Sequence, residues 1–163
     1  MSTDFISNFI NPNKGIIIRI CRAYTSTNED FEDYYQEVCL QLWKSRENFN
    51  EKSIWSTWMY KVTLNVCLFL SRKESKHSFV SFDSFSNEIT NTEEKISSED
   101  SINELYEAIK QLSEIDRAVI ILYLEEKTYQ EIAEITGTNQ NYIGVRINRI
   151  KQRLKIILNE KVD

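Results

Sequence analysis

Apolar residues recur every three or four positions along most of the chain, the spacing of helices that bury one face. Before residue 78 this pattern predicts three helices: one after Gly15, one from Asn28 to about Lys44, and one from Ile54 to about Lys73. After residue 101 it predicts four more, over 102–112, 113–124, 129–135 and 139–158. The pattern therefore predicts an all-α protein.

Two predicted helices carry signals beyond their spacing. Asn28 is placed to cap the second helix, whose first turn holds Glu29 and Asp30 at the positive end of the helix dipole. The third helix is expected to start from a Ser53 cap and to carry a long apolar stripe. That stripe contains Trp55, Trp58, Met59, Val62, Val66, Phe69 and Leu70.

Between the two groups of helices lies a stretch of different composition, residues 78–101. It holds seven serines and six acidic residues, and its apolar residues follow no helical period. We interpret it as a linker, with an irregular but packed loop as the alternative because it contains Phe79, Phe82 and Phe85. The chain would then consist of two small helical lobes, 1–77 and 102–163, joined by residues 78–101.

Composition supports the helical prediction and narrows the class of protein. Three glycines and one proline in 163 residues leave little room for the turns of a β-sandwich or barrel. Cys21, Cys39 and Cys67 form no C-x-x-C pair, and His77 is the only histidine, so we expect neither a disulfide framework nor a metal site. The cysteines are expected in the core rather than as redox sensors, and His77 on the surface.

The amino-terminal ten residues lack the pattern of a signal peptide, and the longest uncharged apolar stretch, 62–70, is about half of a membrane span. We therefore expect a soluble protein of a reducing compartment, with no direct membrane insertion.

Charge is distributed unevenly, although the total is only −5. Residues 52–77 carry five bases and one acid, and residues 136–159 carry five bases and no acid. Residues 78–135, in contrast, hold fourteen acids and four bases. Two basic segments in an acidic chain indicate two separate contacts with a polyanion.

The second basic segment has the pattern of a helix-turn-helix. A short predicted helix over 129–135 meets a turn at Gly137, and the following helix has a stripe of Ile143, Ile147, Ile150 and Leu154. Its opposite side offers amides and guanidiniums that can read base edges. We predict that this DNA-reading side contains Asn141, Tyr142, Val145, Arg146, Asn148, Arg149 and Arg153. The alternative is a surface helix that is merely basic.

The first basic segment combines aromatic rings with cations. Stacking rings beside phosphate-binding cations are what the capture of a melted DNA strand requires. The candidates for this contact are Trp55, Trp58, Tyr60, Lys61, Asn65, Arg72 and Lys73. Trp58 also lies on the apolar stripe, so for this residue a core position is the competing interpretation.

The predicted helix from Asn28 has an acidic face. Asp33, Gln36 and Glu37 lie along one stretch of it and could dock on another protein. The alternative is an ordinary solvated helix start.

Together these segments resemble a known family. Residues 128–134 (TYQEIAE), with Gly137, Arg146, Arg149 and Leu154, resemble region 4 of bacterial sigma factors, and residues 112–117 (LSEIDR) resemble its entry. Residues 33–38 (DYYQEV) are similar to the D-x-x-Q-E segment of region 2. Residues 56–61 (STWMYK), with Asn65, Arg72 and Lys73, resemble its following helix. The order and short length are those of extracytoplasmic-function (ECF) sigma factors.

The resemblance implies a cytoplasmic promoter-specificity subunit without catalytic activity, cofactor or metal. Region 2, through Asp33, Gln36 and Glu37, would dock on the β′ clamp of core RNA polymerase and would open the −10 element. Region 4 would bind the β flap and read the −35 element of promoter DNA. An anti-sigma factor is an expected partner. Gly144 and Val145 stand where the family often has Lys and a small polar residue, and Thr138 and Asn139 also depart from it.

Two other classes of function are weighed against this one. A helix-turn-helix repressor or activator explains the second lobe but leaves the tryptophan-rich basic helix unexplained. An enzyme is disfavoured because the sequence has no Gly-rich phosphate loop, no H-E-x-x-H motif and only one histidine.

Overall fold

A computed structural model describes residues 3–48, 55–77 and 98–162, and these residues are helical apart from short connections. The helices are α1 (Thr3–Phe5), α2 (Lys14–Tyr24), α3 (Asn28–Lys44), α4 (Trp55–His77), α5 (Ser98–Ile109), α6 (Glu114–Leu124), α7 (Tyr129–Thr136) and α8 (Gln140–Val162). A π-helical stretch (Ile6–Ile10) and a 3₁₀ turn (Asn11–Asn13) join α1 to α2, and a second 3₁₀ turn (Arg46–Asn48) follows α3. No strand occurs within these ranges, so the prediction of an all-α protein is confirmed.

The first lobe is a bundle in which α2, α3 and α4 pack against one another. Its centre contains Ile17, Ile20, Val38 and Leu42, none of which exposes any surface. The predicted cap of α3 is wrong by one residue: the Thr27 hydroxyl accepts the Asp30 amide at 3.1 Å, while Asn28 is already helical. Ser53, the predicted cap of α4, lies outside the described residues.

The second lobe contains α5 to α8, with α8 in contact with the other three helices. The Ser113 hydroxyl caps α6 by accepting the Asp116 amide at 3.2 Å, as its position in the sequence predicts. Helix α5 begins at Ser98, inside the stretch interpreted as linker, and residues 78–97 lie outside the described residues.

The two lobes are in direct contact. Helix α2 packs against α5 and α6, and α4 packs against α7. One buried cluster continues from the first bundle into the second. This contact decides which parts of α4 remain accessible, and its polar members are described below.

Candidate nucleic-acid interface

The turn between α7 and α8 is built by local hydrogen bonds. Thr128 and Glu131 form a capping box at the start of α7, in which the Thr128 hydroxyl accepts the Glu131 amide at 3.1 Å and the Glu131 carboxylate accepts the Thr128 amide at 2.8 Å. These bonds lower the pKa of Glu131 below its ordinary value of 4.5. Gly137 ends α7 with a φ of 80°, a left-handed conformation that glycine adopts without steric cost. Its amide donates to the Ala133 carbonyl at 2.8 Å.

Helix α8 is oriented by its apolar stripe. Ile143 and Ile147 are fully buried, and Ile150 and Leu154 are almost so. The Asn139 side chain caps the helix by accepting the Tyr142 amide at 2.9 Å. With the stripe buried, the opposite side faces solvent, and six of the seven predicted DNA-reading residues are exposed there: Asn141, Tyr142, Val145, Asn148, Arg149 and Arg153.

The seventh, Arg146, is half-buried and has partners within the lobe. Its Nε donates to the Asp116 carboxylate at 2.5 Å, and its guanidinium also donates to the Tyr142 hydroxyl. Lys151, on the same helix, donates to the Tyr123 hydroxyl at 2.8 Å, which raises the pKa of Lys151. Of the α8 cations, Arg149 and Arg153 are exposed on the predicted DNA-reading side.

The predicted strand-binding residues of α4 differ in how far the structure exposes them. Asn65, Arg72 and Lys73 are exposed, and Lys61 is half-buried. Tyr60 is only 2% exposed as a member of the buried core, and its hydroxyl donates to the Glu125 carboxylate of the second lobe at 3.2 Å. In this arrangement Tyr60 is therefore unavailable to a DNA strand.

The two tryptophans of α4 are half-buried and pack edge to face at 6.4 Å between ring centroids. Trp55 also packs on Phe9, with the ring centroids 5.3 Å apart. Both therefore contribute to the packing of the first lobe while exposing part of their rings. For Trp58, this agrees with the interpretation that placed it on the apolar stripe.

Phe69 is 66% exposed, although its position on the apolar stripe of α4 predicts burial, and this corrects the prediction. It lies four residues after Asn65 and four before Lys73, so all three share one side of α4. They line a groove of about 570 Å³ between α3 and α4. Sequence reasoning missed Phe69 as a functional candidate, although its spacing from Asn65 and Lys73 was visible in the chain.

The predicted docking face lies on α3. Asp33 and Gln36 are exposed, and Glu37 is half-buried and accepts the Gln41 amide at 2.8 Å. Leu40, one turn further along, is 41% exposed. Positions 33, 36, 37 and 40 follow helical spacing, so the acidic face has an apolar neighbour on the same side.

Polar side chains join the two lobes at three places, two of which involve a glutamate of the second lobe. Glu125, after α6, accepts two hydrogen bonds from the Arg19 guanidinium, one of them at 2.9 Å. Hydrogen bonding to Glu125 raises the pKa of Arg19. Glu114, at the start of α6, accepts the Arg72 Nε at 3.0 Å, and the Tyr24 hydroxyl donates to its carbonyl at 2.9 Å. These contacts connect residues that are far apart in the chain.

The cysteines lie in the first lobe. Cys21 and Cys67 are fully buried, with their sulfur atoms 3.9 Å apart, and Cys39 is half-buried. The contact with Cys21 and burial raise the pKa of Cys67 well above its ordinary value, which keeps it a protonated thiol. Burial agrees with the prediction that these are core residues. The described residues bring together no set of three His, Cys, Asp or Glu side chains able to hold a metal ion.

Within residues 3–48, 55–77 and 98–162, no helix combines the length and the apolar character that a membrane crossing needs.

Two family models match this chain, and several known proteins are similar to it. The family model described as Sigma-70 region 2 matches residues 9–77, and that described as Sigma-70, region 4 matches residues 102–154. The chain is similar to the RNA polymerase sigma factor SigV of Bacillus subtilis, with 26% identity over 93% of this chain and 90% of that protein. It is also similar to the ECF RNA polymerase sigma factor SigW of the same organism, with 23% identity over 93% of this chain and 88% of SigW.

Two solved structures share the fold, each with a TM-score of 0.71. One is the sigma factor RpoE in complex with the anti-sigma factor NepR from Bartonella quintana, at 21% identity, covering 94% of this chain and 98% of RpoE. The other is CnrH in complex with the cytosolic domain of CnrY, at 16% identity, covering 98% of this chain and 90% of CnrH.

Proposed function

This chain belongs to the sigma-70 family of RNA polymerase promoter-specificity subunits, in its ECF type, and we propose that its two lobes divide promoter recognition between them. Sigma factors select promoters and do not catalyse a reaction of their own. We assign the −35 element to the second lobe and the −10 element to the first. The protein would act in the cytoplasm, where its DNA template lies.

The observation that carries the −35 assignment is the exposed side of α8. Arg149 and Asn148 offer the guanidinium and amide groups that pair with guanine and adenine edges in the major groove. The turn at Gly137 and the caps at Thr128 and Asn139 hold α8 rigidly against α7. A rigid recognition helix keeps those side chains in register with the base pairs.

The −10 assignment is supported by the exposed side of α4. Asn65 provides an amide for base edges, Phe69 an aromatic face for stacking, and Arg72 and Lys73 charges for phosphate. Trp55, Trp58 and Lys61 continue this surface toward the start of the helix. Tyr60 lies five residues before Asn65, about 140° around the helix, so it is not part of this surface.

We further propose that Asp33, Gln36 and Glu37 of α3 dock on the β′ clamp of core RNA polymerase, with Leu40 as the apolar member of that surface. The second lobe would bind the β flap. RpoE is bound to the anti-sigma factor NepR in its solved structure, and CnrH is bound to the cytosolic domain of CnrY; these complexes support the proposal that an anti-sigma factor also regulates this chain.

The decisive experiment is run-off transcription with bacterial core polymerase on a pool of genomic fragments, with and without this protein. We expect defined new start sites that require its addition, and aligning the upstream sequences identifies the −35 and −10 elements. Arg149→Ala should weaken initiation selectively at templates with the intact upstream element. Lys14→Ala removes one exposed charge from α2 and serves as the matched control.

A different result points to the other class of DNA-binding protein. If no new start sites appear and the free protein binds duplex fragments tightly, a conventional helix-turn-helix regulator is the better description. Docking is tested separately, because Gln36→Ala with Glu37→Ala should lower affinity for core polymerase without changing duplex binding by the second lobe. Unchanged affinity for core would remove α3 from the docking surface.

A further inference from the structure

A series of hydrogen bonds joins the exposed side of α8 to α6. The Arg146 Nε donates to the Asp116 carboxylate at 2.5 Å, and the Arg146 Nη1 donates to the Tyr142 hydroxyl. The guanidinium also lies 5.2 Å from the centre of the Tyr142 ring. The side chains of Arg146 and Asp116 are 28% and 23% exposed, whereas Tyr142 lies at the surface. An acid of α6 is thus connected, through a half-buried arginine, to a tyrosine of the predicted DNA-reading side.

Both ends of this series are fixed by helix caps. Asp116 lies in the first turn of α6, and its amide donates to the Ser113 hydroxyl at 3.2 Å. Tyr142 lies in the first turn of α8, and its amide donates to the Asn139 side chain at 2.9 Å. The backbones at both ends are therefore anchored, and Arg146 bridges two partners whose positions are already set.

The chemistry of the three groups decides which proton remains available. A guanidinium has only donors, so the Tyr142 oxygen must be the acceptor in its bond with Arg146. A hydroxyl that accepts in this way keeps its own proton for another partner. The Asp116 carboxylate also compensates the charge of Arg146, which binds inside the lobe.

On the basis of the proposed −35 role of α8, we propose that Asp116 is a positioning residue for DNA binding. Through Arg146, it holds the Tyr142 hydroxyl as a hydrogen-bond donor toward an acceptor atom of duplex DNA. Phosphate oxygens and the acceptor atoms of base edges both take such a bond. Arg146 then orients Tyr142 and does not itself read a base.

Asp116→Ala has opposite consequences under this positioning role and under general electrostatics. The change shifts the net charge from −5 to −4, which by itself favours DNA binding. Loss of the carboxylate also releases Arg146 and Tyr142, so we expect binding to weaken about threefold. Glu134→Ala removes the same charge at an exposed position of α7 and serves as the matched control, with no loss of affinity expected.

The hydroxyl is tested by Tyr142→Phe, which keeps the ring. We expect this variant to bind DNA about fivefold more weakly, with an unchanged salt dependence because a neutral hydroxyl releases no counterion. Tyr123→Phe removes another hydroxyl that accepts from a cation of α8, since Lys151 donates to it at 2.8 Å. This control should not weaken binding.

The double variant Asp116→Ala with Tyr142→Phe separates positioning from a merely structural role. If Asp116 acts through the hydroxyl, Asp116→Ala no longer weakens binding once the hydroxyl is absent. A structural role would lower the affinity equally in both backgrounds. The full chain is titrated at low salt against two unrelated fluorescein-labelled duplexes of about 30 base pairs, and urea unfolding measures the stability of each variant.

Tighter binding by Asp116→Ala, equal losses in both backgrounds, or unchanged affinity of Tyr142→Phe would each overturn the proposal. Absence of duplex binding by the wild-type chain would overturn it as well. With the expected losses, equal effects on both duplexes assign the acceptor to a phosphate, and a loss confined to one duplex assigns it to a base edge. These titrations contain no polymerase, so their failure remains separate from failure of the run-off experiment.

Discussion

Gly144 lies inside α8, where an alanine would be expected to stabilise the helix. Glycine in a helix interior costs about 1 kcal/mol relative to alanine, because it loses more backbone entropy on folding. A Cβ at this position would lie 3.3 Å from Cε2 and 3.6 Å from Cδ2 of Tyr129, the first residue of α7. Since ordinary carbon–carbon contacts begin near 3.5 Å, the ring must move by a few tenths of an ångström.

The ring of Tyr129 is half-buried, so part of that movement is available. Adding a methyl group to a fully packed core costs about 1–3 kcal/mol, and a ring with a free side should cost less. We expect Gly144→Ala to stabilise the chain by about 0.5 kcal/mol, roughly half of the gain from helix propensity alone. In a Tyr129→Ala background the contact is absent, and the gain should reach about 1 kcal/mol.

The assay is urea unfolding at 25 °C, followed by far-UV circular dichroism, on all four members of this double-mutant cycle. With a denaturant slope of about 1–3 kcal/mol/M, a change of 0.5 kcal/mol moves the midpoint by about 0.2–0.5 M. Equal effects of Gly144→Ala in both backgrounds would refute the role of the ring. Destabilisation by more than about 1 kcal/mol in the wild-type background would show that Tyr129 cannot move.

Three further predictions concern the DNA-binding surfaces and the capping box. Folding lowers the pKa of Glu131, so its contribution to stability is present above pH 4.5 and is lost as pH falls through the folded pKa. Glu131→Gln should flatten this pH dependence of the unfolding free energy in urea titrations. Thr128→Ala, which removes the helix cap, should lower the unfolding free energy by about 1 kcal/mol at pH 7. Arg149→Ala should reduce discrimination between matched and scrambled −35 sequences, whereas Lys155→Ala should weaken binding to both alike. If Arg149→Ala lowers the affinity for both sequences equally, Arg149 does not read the bases. Phe69→Ala should lower the permanganate reactivity of melted −10 thymines about tenfold, and Phe69→Trp should retain that reactivity. If Phe69→Ala instead lowers the affinity for core RNA polymerase, Phe69 belongs to the polymerase-docking surface.

The helix-turn-helix could be predicted closely because its determinants are local. Successive members of the stripe from Ile143 to Leu154 are three or four positions apart, and the hydrogen bonds at Gly137 and Asn139 reach partners within four positions. Helical periodicity reports such relationships directly. The exposed side of α8 then follows from which side is buried.

The cap of α3 and the exposure of Phe69 show the limit of the same reasoning. Both Thr27 and Asn28 are residues that favour a helix cap, and the backbone, which is extended at Thr27, decides between them. Phe69 fits the apolar period of α4, but the packing of α3 and α4 leaves it at the edge of their groove. Periodicity assigns a residue to a side of a helix and does not say how far the neighbouring helix extends.

The amino-acid sequence by itself determined the helices, the two basic segments and the family, because these depend on short spacings and on motifs in order. Only the tertiary structure showed that Glu125 meets Tyr60 and that Glu114 meets Arg72, pairs separated by 65 and 42 residues. No local rule pairs one glutamate among many with one particular cation or hydroxyl. Such pairs form because burial of the apolar faces of α2 and α4 against the second lobe brings them together, and that packing decides which side chains of α4 remain exposed.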